Sequence, residues 1–136
     1  MKALVNWTGN RNFLGRSGTG HAVPMSASAA EDSEGASPME MLLIGLGGCF
    51  SYDVVNILEK MREPIEDCAV EIEAERAKEA PRVFTHIHMR FVVTGKGLDP
   101  EKVQKAVNMS AEKYCSASVM LSKTAEISHD IEVLEP

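Results

Sequence analysis

Basic residues are in short supply in this sequence. Fourteen Lys and Arg stand against twenty Asp and Glu, a formal charge of -6, with no local run of Lys and Arg to override that balance. A phosphate backbone repels such a surface, which excludes nucleic acid as an expected partner. Cysteine is scarce as well: Cys49, Cys68 and Cys115 are odd in number, far apart, and in no CxxC or Cys/His pattern. That argues against a disulfide scaffold and against structural zinc, and no metal is expected. No Gly-rich loop follows a strand and opens a helix in the phosphate-cradling pattern, so no nucleotide cofactor is expected. The longest nearly uncharged apolar stretch, Met41 to Phe50, is ten residues, about half of the roughly 20 that a membrane-spanning helix needs. The N-terminus carries neither a long apolar segment nor a small-residue cleavage site, and the expected compartment is the cytoplasm.

What is present is an ordinary globular balance, 136 residues with 44% hydrophobic and 25% charged, which predicts one domain spanning residues 1–136. Lys2 to Thr8 alternate as a half-buried strand, and Gly9-Asn10-Arg11-Asn12 supplies a turn. Phe13-Leu14 opens a second short strand, His21 to Ser26 a third, and Ser28 to Ala36 is expected to be a mobile loop. Glu66 to Arg76 and Val83 to Thr94 alternate as two long strands joined at Ala80-Pro81, the second with Val83, Thr85, Ile87, Met89, Phe91 and Val93 on one face. Asp99-Pro100-Glu101 starts a helix that carries Val103, Ala106, Val107, Ser110, Ala111 and Tyr114 on one stripe toward Cys115. A short helical segment, Ser118 to Leu121, and a strand over Ala125 to Val133 complete the order βββ-α-ββ-α-β, an α+β domain with helices on one side of a largely antiparallel sheet.

The strongest local signal is Ser37-Pro38-Met39-Glu40. Ser caps the free N–H groups, Pro fits the first turn, and Glu closes a capping box. The helix it opens runs from Pro38 to about Met61, before Pro64. Its first half, Met39 to Phe50, is apolar on every face; from Phe50 onward Phe50, Val54, Ile57, Leu58 and Met61 form one stripe opposite Asp53, Asn56, Glu59 and Lys60. A domain this small rarely surrounds a helix, so the pattern predicts a homodimer. Gly45, Gly47 and Gly48 cost helix stability, up to about 1 kcal/mol each relative to Ala, and their crowding points to a close helix–helix approach.

Cys49 and Cys115 each admit two readings, a small buried hydrophobe or a reactive thiol; Cys68, in a strand, is read as core. A thiol that attacks peroxide must be ionised, and one in mid-helix needs a nearby cation. Arg16 and Arg11 are the candidates, Glu40 the carboxylate that would orient either through paired hydrogen bonds, although its capping role explains it equally well. Cys115, near a helix C-terminus, sits where the helix dipole disfavours a thiolate and suits resolution better than attack. His86 and His88 share one strand face, which is read as exposed to solvent rather than as a metal site.

Ser37-Pro38-Met39-Glu40-Met41-Leu42-Leu43 running into Gly47-Gly48-Cys49, the second Cys in Tyr114-Cys115-Ser116, and the order of elements resemble the OsmC/Ohr family, the osmotically inducible and organic hydroperoxide resistance group, and within it the uncharacterised OsmC-like branch. The resemblance implies an intertwined homodimer in which two long central helices are wrapped by sheets that exchange strands. It also implies a cysteine-based peroxidase of the oxidative stress response: Cys49 attacks the O–O bond, becomes sulfenic acid and condenses with Cys115. An N-terminal Arg, Arg16 or alternatively Arg11, activates the thiol, Glu40 holds that Arg, and a dithiol such as a lipoyl group restores the pair. In the family the Glu directly follows the Pro; here Met39 intervenes, which turns the carboxylate about 100° around the helix. That departure favours an alternative, a dimeric small-molecule-binding or redox-sensing protein with little turnover.

Overall fold

The computed structural model describes residues 1–27 and 33–136; residues 28–32 of the expected mobile loop lie outside them. The chain forms two compact units, Met1–Ile44 and Gly45–Pro136. In the first, β1 (Ala3–Gly9), β2 (Asn12–Ser17) and β3 (Ala22–Ser26) make an antiparallel meander. Asn10 turns the first hairpin at φ 50°, a left-handed conformation that Asn tolerates well. Ser26 is buried and donates to the Asn12 side chain. The expected half-burial of β1 is not found: Leu4, Val5 and Trp7 are all exposed.

Helix α1 (Pro38–Lys60) begins in the first unit and continues into the second. Its start is a reciprocal capping box: the Ser37 hydroxyl accepts from the Glu40 N–H at 3.1 Å, and the Glu40 carboxylate accepts from the Ser37 N–H at 2.9 Å. These two bonds satisfy donors that a helix terminus otherwise leaves unmade. At the far end Arg62, at φ 60°, takes the left-handed cap position. The Arg62 N–H reaches the Glu59 carbonyl and the Glu63 N–H reaches the Leu58 carbonyl, both at 2.9 Å, a Schellman closure that Pro64 then seals. At 23 residues α1 is long and apolar enough to cross a membrane by length and composition. Its Phe50, Val54 and Leu58 are nevertheless fully buried among the residues of the second unit, which makes it a core helix there.

That second unit contains β4 (Ile65–Arg76), β5 (Phe84–Gly95), α2 (Pro100–Met109), a π-helical turn (Ser110–Tyr114), α3 (Ser116–Leu121) and β6 (Glu126–Leu134). The fold is mixed α+β with two three-stranded sheets, which corrects the expectation of one largely antiparallel sheet. β4 and β5 pair antiparallel, but β6 runs parallel to β5, because the intervening helices form a crossover that returns the chain in the same direction. Only α1 is long among the described helices; α2 stops at ten residues.

The core is the inner face of β5 under α1 and α2. Ile87, Met89, Phe91 and Val93 are buried with Val103, Ala106 and Val107, and the Phe50 and Phe91 rings meet at 4.7 Å. The alternation expected over Val83 and Thr85 fails, since Phe84 is buried instead and Val83 is exposed. A register shift between Glu75 and Arg76 is the cause: an irregular residue flips every side chain beyond it. On the outer face His86 lies between Glu75 and Glu126, His88 contacts Ser128 and Asp130, and Arg90 pairs with Glu71 and Glu132. These pairs are solvated and add little to stability.

His129, paired with Met89 across the parallel ladder, shares the inner face and packs edge-on to Phe50 at 6.3 Å. Its Nδ1 is buried without a hydrogen-bond partner among the described residues. Burial holds its pKa below the ordinary value, assisted by His88, while Asp130 and Glu112 oppose. The unfolded chain therefore takes up the proton first as pH falls, so this contribution to stability is present above about 6.5 and is lost as pH drops through the lower folded value. Thermal melts between pH 7.5 and 5 should show a falling Tm in the wild type and a smaller fall in His129→Leu; equal slopes would refute the assignment.

Candidate active site

Two of the three cysteines are neighbours. Cys49 is half-buried on α1, and Cys115, fully buried, lies near enough for the Cys49 side chain to raise its pKa. α1 can present Cys49 here because the residues before it are small: Gly47 is buried, and a Cβ there would lie 2.9 Å from Ile72 Cδ1 of β4. This glycine thus answers to a strand side chain of the same chain. Gly45 and Gly48 face open space.

Cys115 is not near the end of a long helix, as its sequence context suggested. α2 ends at Met109, and the chain then makes a π-helical turn closed by the Cys115 N–H donating to the Ser110 carbonyl at 2.8 Å. The wider turn takes Tyr114 off the expected stripe, leaving it exposed, as an inserted residue must. Cys115 becomes the N-cap of α3, its Sγ accepting from the Ser118 N–H at 3.3 Å. The expected dipole argument therefore reverses sign, since helix N-termini favour thiolates. Burial overrides it: desolvation is the largest effect, and with the neighbouring Cys49 and Asp53 it pushes the Cys115 thiol up to about 12 against the opposing Ser118 bond.

Two residues expected only on a polar helix face and on an apolar stripe, Asp53 and Ser110, bridge α1 to the turn that carries Cys115. Asp53, one helical turn after Cys49, accepts a hydrogen bond from the Ser110 hydroxyl at 2.9 Å. Ser110 is fully buried. A hydroxyl within an apolar stripe is itself a signal, because buried polar groups need partners, and the four-residue step from Cys49 to Asp53 places both on one helix face.

The other candidates lie in the first unit. Arg16 is exposed on β2, opposite Leu4 and Ala22. Arg11 is exposed in the β1–β2 turn, its carbonyl accepting from the Ala27 N–H at 2.9 Å. Neither forms an ion pair with another described residue. The Glu40 carboxyl is held below the usual range by the Ser37 N–H and hydroxyl. Cys68, half-buried on β4, has its thiol raised by burial and by Asp67.

Residues 30–130 match the OsmC-like protein family. Along its length the chain is 46% identical to Protein YhfA of Escherichia coli strain K12, over 134 residues that make up 98% of each chain. The chain belongs to the OsmC-like family. Its fold matches an OsmC-like protein of Mycoplasma pneumoniae with a TM-score of 0.87 at 12% identity, covering 98% of this chain and 96% of that one. It also matches the organic hydroperoxide resistance protein OhrB of Bacillus subtilis, with a TM-score of 0.67 at 24% identity, covering 97% and 98%. These two likenesses are of fold.

The burial of Cys115 makes a direct prediction. In the native protein at pH 8, iodoacetamide should alkylate Cys115 at least about a hundredfold more slowly than a free thiol of ordinary pKa, and all three cysteines should react in guanidinium. Peptide mass mapping reads both; native labelling of Cys115 at the free-thiol rate would contradict its assigned environment.

Proposed function

We propose that this protein is a thiol-dependent peroxidase that reduces organic or inorganic hydroperoxides through Cys49, with Cys115 resolving. The observation that carries the reading is the pairing of a half-buried thiol with a neighbouring buried one whose ionisation is suppressed by burial. Such a pair divides its labour. Cys49, as thiolate, attacks the terminal oxygen of the hydroperoxide, the O–O bond breaks, and the alcohol or water leaves after taking a proton. The resulting Cys49 sulfenic acid then loses water to Cys115 as the S–S bond forms. A dithiol, for which a lipoyl group is the family's suggestion, reduces the disulfide and is itself oxidised.

Arg16, with Arg11 as the alternative, supplies the cation that favours the Cys49 thiolate, and Glu40 orients it. One observation favours a second reading, a ligand-binding or redox-sensing protein that oxidises once and stalls: the Glu40 carboxylate is already engaged by the Ser37 N–H. Turnover separates the two. With one equivalent of cumene hydroperoxide, and in parallel hydrogen peroxide, the reduced protein should lose two hydrogens within seconds at a Cys49–Cys115 linkage. Cys49→Ser should abolish the reaction, and Cys115→Ser should leave a sulfenic acid that dimedone traps. Arg16→Ala should slow the first step about tenfold or more, as loss of a thiolate-stabilising cation does. Thiols unmodified after minutes would sink the peroxidase, and a single oxidation without dithiol-supported turnover would favour the sensor.

The protein is further proposed to be a cytoplasmic homodimer whose two units form one domain of this fold. Ile44 is 58% exposed on α1, Tyr52 70%, and Trp7 of β1 69%; covering a large apolar side chain is worth about 1.5–3 kcal/mol. Gly48 is open in the single chain, so Gly48→Leu would be harmless to a monomer and would obstruct a helix–helix dimer contact. Sedimentation velocity should give twice the 14.8 kDa chain mass for the wild type and a shift toward the chain mass for Gly48→Leu. A monomeric wild type overturns the dimer.

A further inference from the structure

The hydrogen bonds around Ser110 run in series. Its hydroxyl donates to Asp53 on α1 at 2.9 Å, and its carbonyl accepts the Cys115 N–H at 2.8 Å, closing the π turn. A single buried residue therefore ties the backbone of Cys115 to the helix that carries Cys49, one turn beyond that thiol. An ordinary α-helical continuation would direct the Ser110 carbonyl to the Tyr114 N–H and change the position of Cys115 around the axis. The π turn leaves the bond to Asp53 as its side-chain anchor.

We propose that Asp53 is a positioning residue: through Ser110 it holds the π turn that sets the Cys115 sulfur against Cys49 for disulfide closure. The proposal deepens the reading of these cysteines as a redox pair and rests on it. Asp53 also adds its negative charge to the burial that keeps Cys115 protonated, so the resolving thiol is near its target and neutral until the Cys49 sulfur becomes electrophilic.

The test uses an oxidant other than peroxide, in the full chain carrying Cys68→Ala. One equivalent of the aromatic disulfide dithiobis-nitrobenzoate is added to the reduced protein. Cys49 attacks one reagent sulfur, the reagent S–S bond breaks, and one thionitrobenzoate anion leaves. Cys115 then gives its proton to buffer, its sulfur attacks that of Cys49, and a second thionitrobenzoate leaves as the Cys49–Cys115 bond forms. The pair loses two electrons and the reagent gains them; absorbance resolves the two releases.

Ser110→Ala and Asp53→Ala should leave the first release unchanged and slow the second about tenfold or more, the scale on which small misplacements of reacting groups act. Ser110→Thr, which keeps the donor, should restore the second release. Asp53→Asn, which keeps an acceptor and removes the charge, should close at least as fast as the wild type at neutral pH. A second release in either alanine variant as fast as in the wild type overturns the proposal. Should the alanine variants fail to fold, retained closure in both the Thr and Asn variants supports it and loss in either overturns it. Closure with this reagent but no reaction with hydroperoxide removes the peroxidase and leaves the tether; peroxide turnover indifferent to Ser110→Ala does the reverse.

Discussion

Helix α1 has one apolar circumference and two surfaces to satisfy. From Phe50 onward its Phe50, Val54 and Leu58 are fully buried with the inner residues of β5, and burying each such side chain contributes about 1.5–3 kcal/mol. The strands, the crossover and the second helix are arranged around that stripe. Before Phe50 the cover among the described residues is partial: Leu46 and Gly47 are buried, whereas Leu42 and Ile44 are exposed and Gly45 and Gly48 meet open space. Cys49 stands half-buried between the covered and the bare face of this segment. A reactive sulfur needs such a position, because full burial would exclude its substrate and suppress its ionisation, and full exposure would leave it unpositioned.

Cys115 illustrates which of two opposing effects wins. As an N-cap it accepts a backbone N–H, which stabilises a thiolate, yet its thiol is pushed up to about 12. A single hydrogen bond to a charged group is worth about 1.5–3 kcal/mol, and desolvation of an ion can cost several. The suppression of the Cys115 thiolate, expected from a helix C-terminus, therefore comes from burial instead.

Features encoded by neighbouring residues were legible in the sequence. The start of α1 follows from Ser37, Pro38 and Glu40, which need only one another, and its end from Pro64; the observed limits, Pro38 and Lys60, lie within one residue of those expected. The inward alternation of Ile87, Met89, Phe91 and Val93 is a period-two pattern that burial imposes. The direction of β6 was not legible, because parallel and antiparallel strands share that period. Nor was the slip at Thr85, which depends on how β4 meets β5.

At the site the same division holds. The capping role of Glu40 was legible from three neighbours, and the structure shows it as a reciprocal pair of bonds with Ser37. The π turn was not, because no residue between Ser110 and Tyr114 is a helix breaker: Ser, Ala, Glu, Lys and Tyr could all continue α2. What accompanies the wider turn is a partner 57 positions away in sequence, the Asp53 carboxylate. Placing a polar residue at a buried position is costly unless it is bonded. Ser110 therefore reports a long-range contact by its composition alone, although not the identity of its partner. Ser110, the hydroxyl on the expected apolar stripe, is the residue through which the backbone of Cys115 is bonded to the helix that carries Cys49.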